Sequence, residues 1–242
     1  MSKVILITGS SRGIGAQLAI TLASNGAKVI VNYAGNTEAA EGVVSAILKN
    51  GGKAIAIQAD VSKPTDVKRL FSEAISVFGR IDVLINNAGI AIYKLVKDTT
   101  DEDFSRIFDI NVKGVFNTMR EAATLLSEGG KIINFSSTTT RVMLPSYGTY
   151  SATKAAVDQL TRVFAKEVGS RKISVNCIAP GPVNTELFKQ GKSEEVINRL
   201  ASMSAFNRIG EPEDIAKIIL FLVSDDSHWI TGQIIGANGG FA

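Results

Sequence analysis

The stretch "KVILITGSSRGIG" (Lys3–Gly15) carries three signals in succession: an apolar run at Val4–Ile7, a cluster of Gly and Ser, and the opening of a segment with helical spacing. A short apolar run without alternation is what a strand covered on both faces looks like. Gly9, Gly13 and Gly15 stand in the turn that would join this strand to the helix. Gly9 lets the chain turn sharply, Gly13 lets backbone approach an anion at the helix N-terminus, and Gly15 lets helix and sheet come close. Glycines in such a turn also serve purely steric ends, and the spacing T-G-x-x-x-G-x-G differs from the widest dinucleotide fingerprint. The strand–turn–helix unit is the firm reading; a phosphate site rests on what surrounds it.

Outward from this unit the same alternation continues. Val- and Ile-rich runs recur at "KVIVNY" (28–33), "KAIAIQAD" (53–60), "DVLINNA" (82–88), "KIINFSS" (131–137), "ISVNCIAP" (173–180) and "GQIIGA" (232–237). Segments of helical period fall near 13–25, 37–49, 64–78, 101–126, 150–169 and 212–224. Strand alternating with helix argues for a parallel sheet built from right-handed crossovers. With no linker or internal repeat, residues 1–242 read as one α/β domain: a doubly wound, Rossmann-type parallel sheet with helices on both faces. Ile90–Thr100, Thr138–Thr149 and Gly181–Met203 read as loops. They begin at the carboxyl ends of strands, where open parallel sheets hold their ligands.

Composition narrows the function classes. The 242 residues are 45% hydrophobic and 20% charged, enough for one sizeable core. The 26 Lys and Arg against 23 Asp and Glu give a net charge of +3 with no basic cluster, which argues against a nucleic-acid partner. The single cysteine, Cys177, lies in an apolar run and forms no intrachain disulfide, in keeping with a reducing compartment. No apolar run suits a signal segment or a membrane span, so a soluble, cytoplasmic protein is expected.

Charge decides the cofactor question. A sheet that takes NAD commonly ends its second strand with a carboxylate for the ribose 2′-hydroxyl. Here that strand ends at Asn32 and Tyr33, and no carboxylate follows until Glu38, while Arg12 stands inside the glycine loop. A guanidinium fork suits a 2′-phosphate, so NADP(H) is expected. Further along, Tyr150 and Lys154 sit four residues apart at the start of a helix, so their polar ends share a face. Ser136 and Ser137 close the strand before them, and Asn111 sits in "FDINVKGVF" among apolar neighbours that would draw it inward.

These stretches, "TGSSRGIG" (8–15), "NNAG" (86–89), Asn111 in "NVKG", Ser137, "YSATK" (150–154) and "PGPVNTE" (180–186), resemble in order and spacing the short-chain dehydrogenase/reductase family along essentially the whole chain. The resemblance implies a catalytic set of Asn111, Ser137, Tyr150 and Lys154. In it Tyr150 protonates a carbonyl oxygen during reduction, Ser137 hydrogen-bonds that oxygen, and Asn111 anchors a water that passes the proton onward. A free tyrosine titrates near about 10, and a nearby ammonium would lower that value, so Lys154 is the expected tuner as well as a ligand of the nicotinamide ribose. By the same resemblance the cofactor would meet Gly9, Ser11, Arg12, Gly13, Ile14 and Gly15 at its phosphates, Asn32 and Tyr33 at the second strand, and Asp60 and Val61 at the adenine. Asn87, Ala88 and Gly89 would follow the adenosine ribose; Tyr150, Lys154, Pro180, Gly181, Val183 and Thr185 would lie beside the nicotinamide. Asp60 also suits a carboxylate near a helix N-terminus. No metal is expected.

The substrate is drawn less sharply. Ile92, Tyr93, Val142, Met143, Leu144, Leu187 and Phe188 are candidate pocket residues, mostly apolar, which suits a small-molecule carbonyl on a hydrophobic body. Lys94 and Arg141 read as rim charges. Within the family the chain is most similar to the β-ketoacyl-acyl carrier protein reductase subgroup. Glu128 and Gly129, however, stand where carrier-binding members show a basic residue, and an acidic carrier would be slowed by that charge. A general NADPH-dependent carbonyl reductase is the first expectation, a 3-oxoacyl-[acyl-carrier-protein] reductase the alternative, and a non-enzymatic NADP-binding sensor a third. The apolar helices 101–126 and 150–169 and the family habit imply a homotetramer or homodimer. His228, alone in a turn beside Trp229, receives no role.

Overall fold

The computed structural model describes residues 3–242. Strands β1 (Val4–Ile7), β2 (Lys28–Tyr33), β3 (Lys53–Gln58), β4 (Ile81–Asn86), β5 (Leu126–Phe135), β6 (Ser174–Pro180) and β7 (Ile234–Ala237) form a sheet in the order β3-β2-β1-β4-β5-β6-β7. Every neighbouring pair is parallel, and Ile5 of β1 lies between Val29 of β2 and Val83 of β4. The winding reverses between β1 and β4, which places a crevice beyond their carboxyl ends.

Alternation within each strand feeds two cores. Ile5, Ile7, Val29, Val31, Val83 and Ile85 face one side, against α1 (Gly13–Ser24), α2 (Thr37–Lys49) and α9 (Pro212–Val223). Val4, Leu6, Ile30, Leu84 and Ile132 face the other, against α3 (Pro64–Phe78), α5 (Gly114–Leu125) and α6 (Gly148–Glu167). Cys177 is buried in this second core, where burial pushes its thiol up to about 12. Because both faces are covered, the strands carry unbroken apolar runs.

The second core also holds a polar ladder. Asn86 of β4 donates to Asn134 of β5 (2.8 Å) and accepts from Thr118 of α5 (2.7 Å). Asn134 in turn donates to Thr161 of α6 (2.9 Å). All are nearly inaccessible, and each amide finds partners that water would otherwise supply.

Three boundaries differ from the sequence reading. The helix expected over 101–126 is α4 (Asp101–Phe108), a π-turn at Asp109–Lys113, and α5, so Asn111 lies at the centre of the wide turn. Such turns often mark functional positions. The stretch Gly181–Met203, read as loop, contains α7 (Glu186–Lys189) and α8 (Glu194–Ser202). The hydroxyls of Thr185 and Ser193 cap them, and Leu200 is the only buried residue of the pair, so their apolar period is too weak to read. Strand β5 begins at Leu126, ahead of the expected Lys131, with a register shift opposite Ile81 and Val83. Among the described residues no helix is long and apolar enough to cross a membrane.

Candidate active site

The glycine turn is held from three sides. Gly9 and Gly13 have φ of +61° and +56°, the left-handed region that glycine tolerates. A Cβ on Gly9 would sit 2.8 Å from Ala88 Cα, and one on Gly15 would sit 2.5 Å from the Asn87 amide and 2.7 Å from Gly9 O. Asn87 donates to the carbonyls of Thr8 (2.9 Å) and Gly9 (2.8 Å), while the Thr8 hydroxyl accepts from the backbone of Asn87 and Ala88. Buried Asn32 accepts from Gly9 N (3.2 Å) and donates to the carbonyls of Ile57 and Ala59. Its amide thus fixes the loop from behind.

Two adjoining clefts open beyond the strand ends. The first is lined by the expected Gly9, Ser11, Arg12, Gly13, Ile14, Asn32, Tyr33, Asp60, Val61, Asn87, Ala88, Gly89 and Thr185. Ala34, Gly35, Asn36, Ala59, Ile110 and Glu186 join them without having been foreseen. Gly15 lies behind the loop and lines neither cleft. Exposed Arg12 has extended backbone at the N-cap of α1 and no ion-pair partner among the described residues. Asp60 accepts from the backbone and hydroxyl of Ser62 in its own loop (3.0 and 2.7 Å).

The second cleft brings together Ser137, Tyr150, Lys154, Pro180, Gly181 and Val183. Ile14, Asn87, Gly89, Ile90, Thr185 and Leu187 line both clefts, so the two are continuous. Gly181 packs against Asn238, where a Cβ would meet it at 2.9 Å, and Pro182 and Asn184 are pinned to Gly210 by backbone hydrogen bonds. Ser137, two residues past the end of β5, accepts from Thr139 N (3.2 Å) and its hydroxyl (3.0 Å). Tyr150 and Lys154 share a face of α6, with the ammonium 5.7 Å from the ring centroid. Lys154 Nζ donates to Phe135 O (2.8 Å). Asn111 lines neither cleft: its side chain is fully buried, accepts from Ile90 N (2.8 Å) and donates to Ile90 O (2.9 Å) and Thr153 Oγ1 (3.1 Å).

The expected tuning of Tyr150 is corrected here. The Lys154 ammonium is directed at the Phe135 carbonyl, and burial pushes Tyr150 up to about 12, opposed only by its hydrogen bond with Ser137. Burial also lowers Lys154, to about 8. At neutral pH Tyr150 therefore keeps its proton, which is the form a proton donor needs.

Of the pocket candidates, Tyr93, Leu144, Leu187 and Phe188 line the second cleft, whereas Ile92 and Val142 do not, and Met143 points away at 97% exposure. Tyr147, Leu200 and Phe241 were missed. Tyr147 stands one helical turn before Tyr150, a spacing that could have found it; Phe241 arrives from the far end of the chain and carries no local signal. Tyr93 packs on Tyr147 with ring centroids 4.5 Å apart, and its edge meets Tyr150 at 6.3 Å. Lys94 pairs with Asp103 (2.5 Å) and Arg141 donates to Ile234 O (3.2 Å), so both are structural rim charges. Exposed Glu128 pairs with Lys172 (3.4 Å). The exposed His228 ring hydrogen-bonds to the Asp225 carbonyl of its own turn (3.2 Å).

Comparison with known proteins agrees with this geometry. The family described as Enoyl-(Acyl carrier protein) reductase matches residues 9–242. Versicolorin reductase from Emericella nidulans is 44% identical, covering 98% of this chain and 95% of its own. A short-chain dehydrogenase/reductase structure from Serratia marcescens superposes with a TM-score of 0.95 at 37% identity, over 99% of this chain and 97% of that one. An angucycline C-6 ketoreductase solved with bound NADP gives 0.93 at 38% identity, over 99% and 95%. Taken with the parallel sheet, the glycine turn and the Ser137–Tyr150–Lys154 wall, these likenesses establish that the chain belongs to the short-chain dehydrogenase/reductase family of oxidoreductases.

Proposed function

We propose that the protein is an NADPH-dependent carbonyl reductase acting on a hydrophobic ketone, with residues 1–242 as one cofactor-binding domain. The observation that carries this reading is the continuity of the two clefts: the wall bearing Ser137, Tyr150 and Lys154 runs without a break into the cradle around the glycine turn. The residues present fit the cofactor. Gly9 and Gly13 leave space where side chains would intrude, and Arg12 offers an unpaired guanidinium beside a strand end that lacks a carboxylate, which favours a 2′-phosphate. The ketoreductase relative with NADP supports the same choice.

When bound, the nicotinamide supplies the hydride. Tyr150, protonated at neutral pH, gives its proton to the carbonyl oxygen, and the Ser137 hydroxyl holds that oxygen within reach. Lys154 contributes a positive charge beside Tyr150 and would hold the ribose of a bound cofactor. Asn111, in its π-turn, braces Ile90 and Thr153 around the same wall, where the proton leaves through water. Tyr93, Leu144, Leu187 and Phe188 form an apolar seat for the body of the substrate. The Glu128–Lys172 pair presents no basic dock for an acidic carrier, so a free ketone is favoured over a carrier-bound chain.

The test is loss of NADPH absorbance against aryl ketones, diacetyl, acetoacetyl-CoA and a carrier-bound β-ketoacyl chain. Tyr150→Phe should lower kcat by about a hundredfold or more while the NADPH Kd changes little; a variant retaining most of its kcat would overturn the assignment. Half-exposed Phe104, Phe116 and Val163 on α4, α5 and α6 support assembly as a dimer or tetramer, with light scattering as the check.

A further inference from the structure

The turn between α7 and α8 sets a lysine against Tyr93 and Phe188, two rings that line the second cleft, without itself lining it. Gly191, at φ +72°, reverses the chain so that Lys192 folds back over α7. Its ammonium donates to Phe188 O (2.7 Å) and lies 3.9 Å over the Tyr93 ring, 5.0 Å from that of Phe188 and 5.9 Å from that of Tyr147. Tyr93 in turn contacts Tyr150. A path of ring contacts thus leads from Lys192, beside the cleft's lining rings, to the reacting tyrosine.

This lysine differs from the other cations near the cleft. Lys94 is neutralised by Asp103, and Arg141 is turned to a strand carbonyl. Lys192 is partly buried, and among the described residues no carboxylate pairs with it. An ammonium has three donors, and Phe188 takes one. The rings hold the cation through their faces, a weak substitute for the water that burial removes. Desolvation already lowers the ammonium's pKa, as expected of a charge short of a counter-ion.

We propose that Lys192 is a specificity-determining residue that receives an anionic oxygen carried on the distal edge of an aryl ketone, its ring lying along Tyr93 and Phe188 and its carbonyl at Tyr150. This rests on the carbonyl-reductase reading and names its substrate class. The rings favour a flat aromatic body over a flexible acyl chain, and the unpaired ammonium favours a phenolate or carboxylate at the far end.

The experiment uses a matched pair of bicyclic aryl ketones, one with a carboxylate distal to the carbonyl and the other its methyl ester. Their kcat/KM values with NADPH, and their calorimetric Kd in the presence of NADP+, which cannot reduce them, are measured for the wild type, Lys192→Gln and Lys192→Arg. Lys192→Gln keeps a donor for Phe188 O without the charge. It should lower the acid-to-ester ratio by about tenfold in both readouts, and Lys192→Arg should restore most of it. An unchanged ratio in Lys192→Gln overturns the proposal, as does a wild-type preference for the ester. If the acid binds through Lys192 but neither ketone is reduced, the binding arm supports the lysine's role and the carbonyl-reductase reading is what fails.

Discussion

Around the glycine turn, Thr8, Asn32 and Asn87 bond to backbone, and every glycine that lines the turn is there because a side chain would collide or twist the chain. Around Tyr93 the wall is made of rings and aliphatic side chains held by contact, part of it on the short helices α7 and α8, of which only Leu200 is buried. The first region is fixed by directional bonds that tolerate no substitution of shape; the second is fixed by packing, which adjusts. A cofactor common to many relatives suits a preformed cradle, whereas a substrate that differs from one relative to the next suits a wall that can be rebuilt residue by residue.

The largest effect that would break this contrast belongs to Asn32. Asn32→Ala removes the side chain that bonds the Gly9 N–H and the Ile57 and Ala59 carbonyls, and loss of the three bonds should cost about 3 kcal/mol together. Calorimetry should find Tm lowered by roughly 8 °C; a shift near zero would mean the loop does not depend on its amide brace. Next is Arg12→Ala, which should cut the NADPH-over-NADH preference in kcat/KM by about tenfold. An unaltered ratio would remove the guanidinium from the cofactor end.

At the junction of the two regions, pH sharpens the picture. Burial lowers Lys154 to about 8 and pushes Tyr150 up to about 12, so as pH rises through 8 the lysine loses its charge while the tyrosine keeps its proton. Reduction should then hold level through neutrality and fall above about pH 8, by at most about tenfold per pH unit. The activity left in Lys154→Arg, whose guanidinium stays charged, should lack that limb. The smallest effect belongs to the packed wall: Leu144→Ala should raise the ketone KM about threefold and leave the NADPH Kd within error, because its neighbours can close part of the gap. A large change in the cofactor Kd would show that the two regions are coupled.

The same contrast explains what the sequence disclosed. The strands of the doubly covered sheet announce themselves as apolar runs, and the glycine turn, "YSATK" and the strand-end Ser137 are local patterns whose residues stay together in space. The helices α7 and α8 bury too little to show a period. Tyr147 and Phe241 reach the wall from one turn upstream and from the end of the chain, so no local spacing marks Phe241 at all. Asn32 was legible as a residue at the right strand end, yet its bonds to Gly9, Ile57 and Ala59 exist only after three strands have been brought side by side. The direction of the Tyr150 shift was misjudged because burial, which sequence spacing does not measure, outweighs a neighbouring charge aimed elsewhere.

The ladder from Thr118 through Asn86 and Asn134 to Thr161 has a consequence for how the chain reaches this state. Strands β4 and β5 meet beside a register shift, where a slipped alignment would still look acceptable to apolar side chains. A slip by one residue would carry Asn86 and Asn134 away from each other and strand both amides in a dry interior. A misaligned sheet would forfeit these bonds, so the ladder works as a check on register, favouring the one alignment of β4 and β5 that pairs both amides.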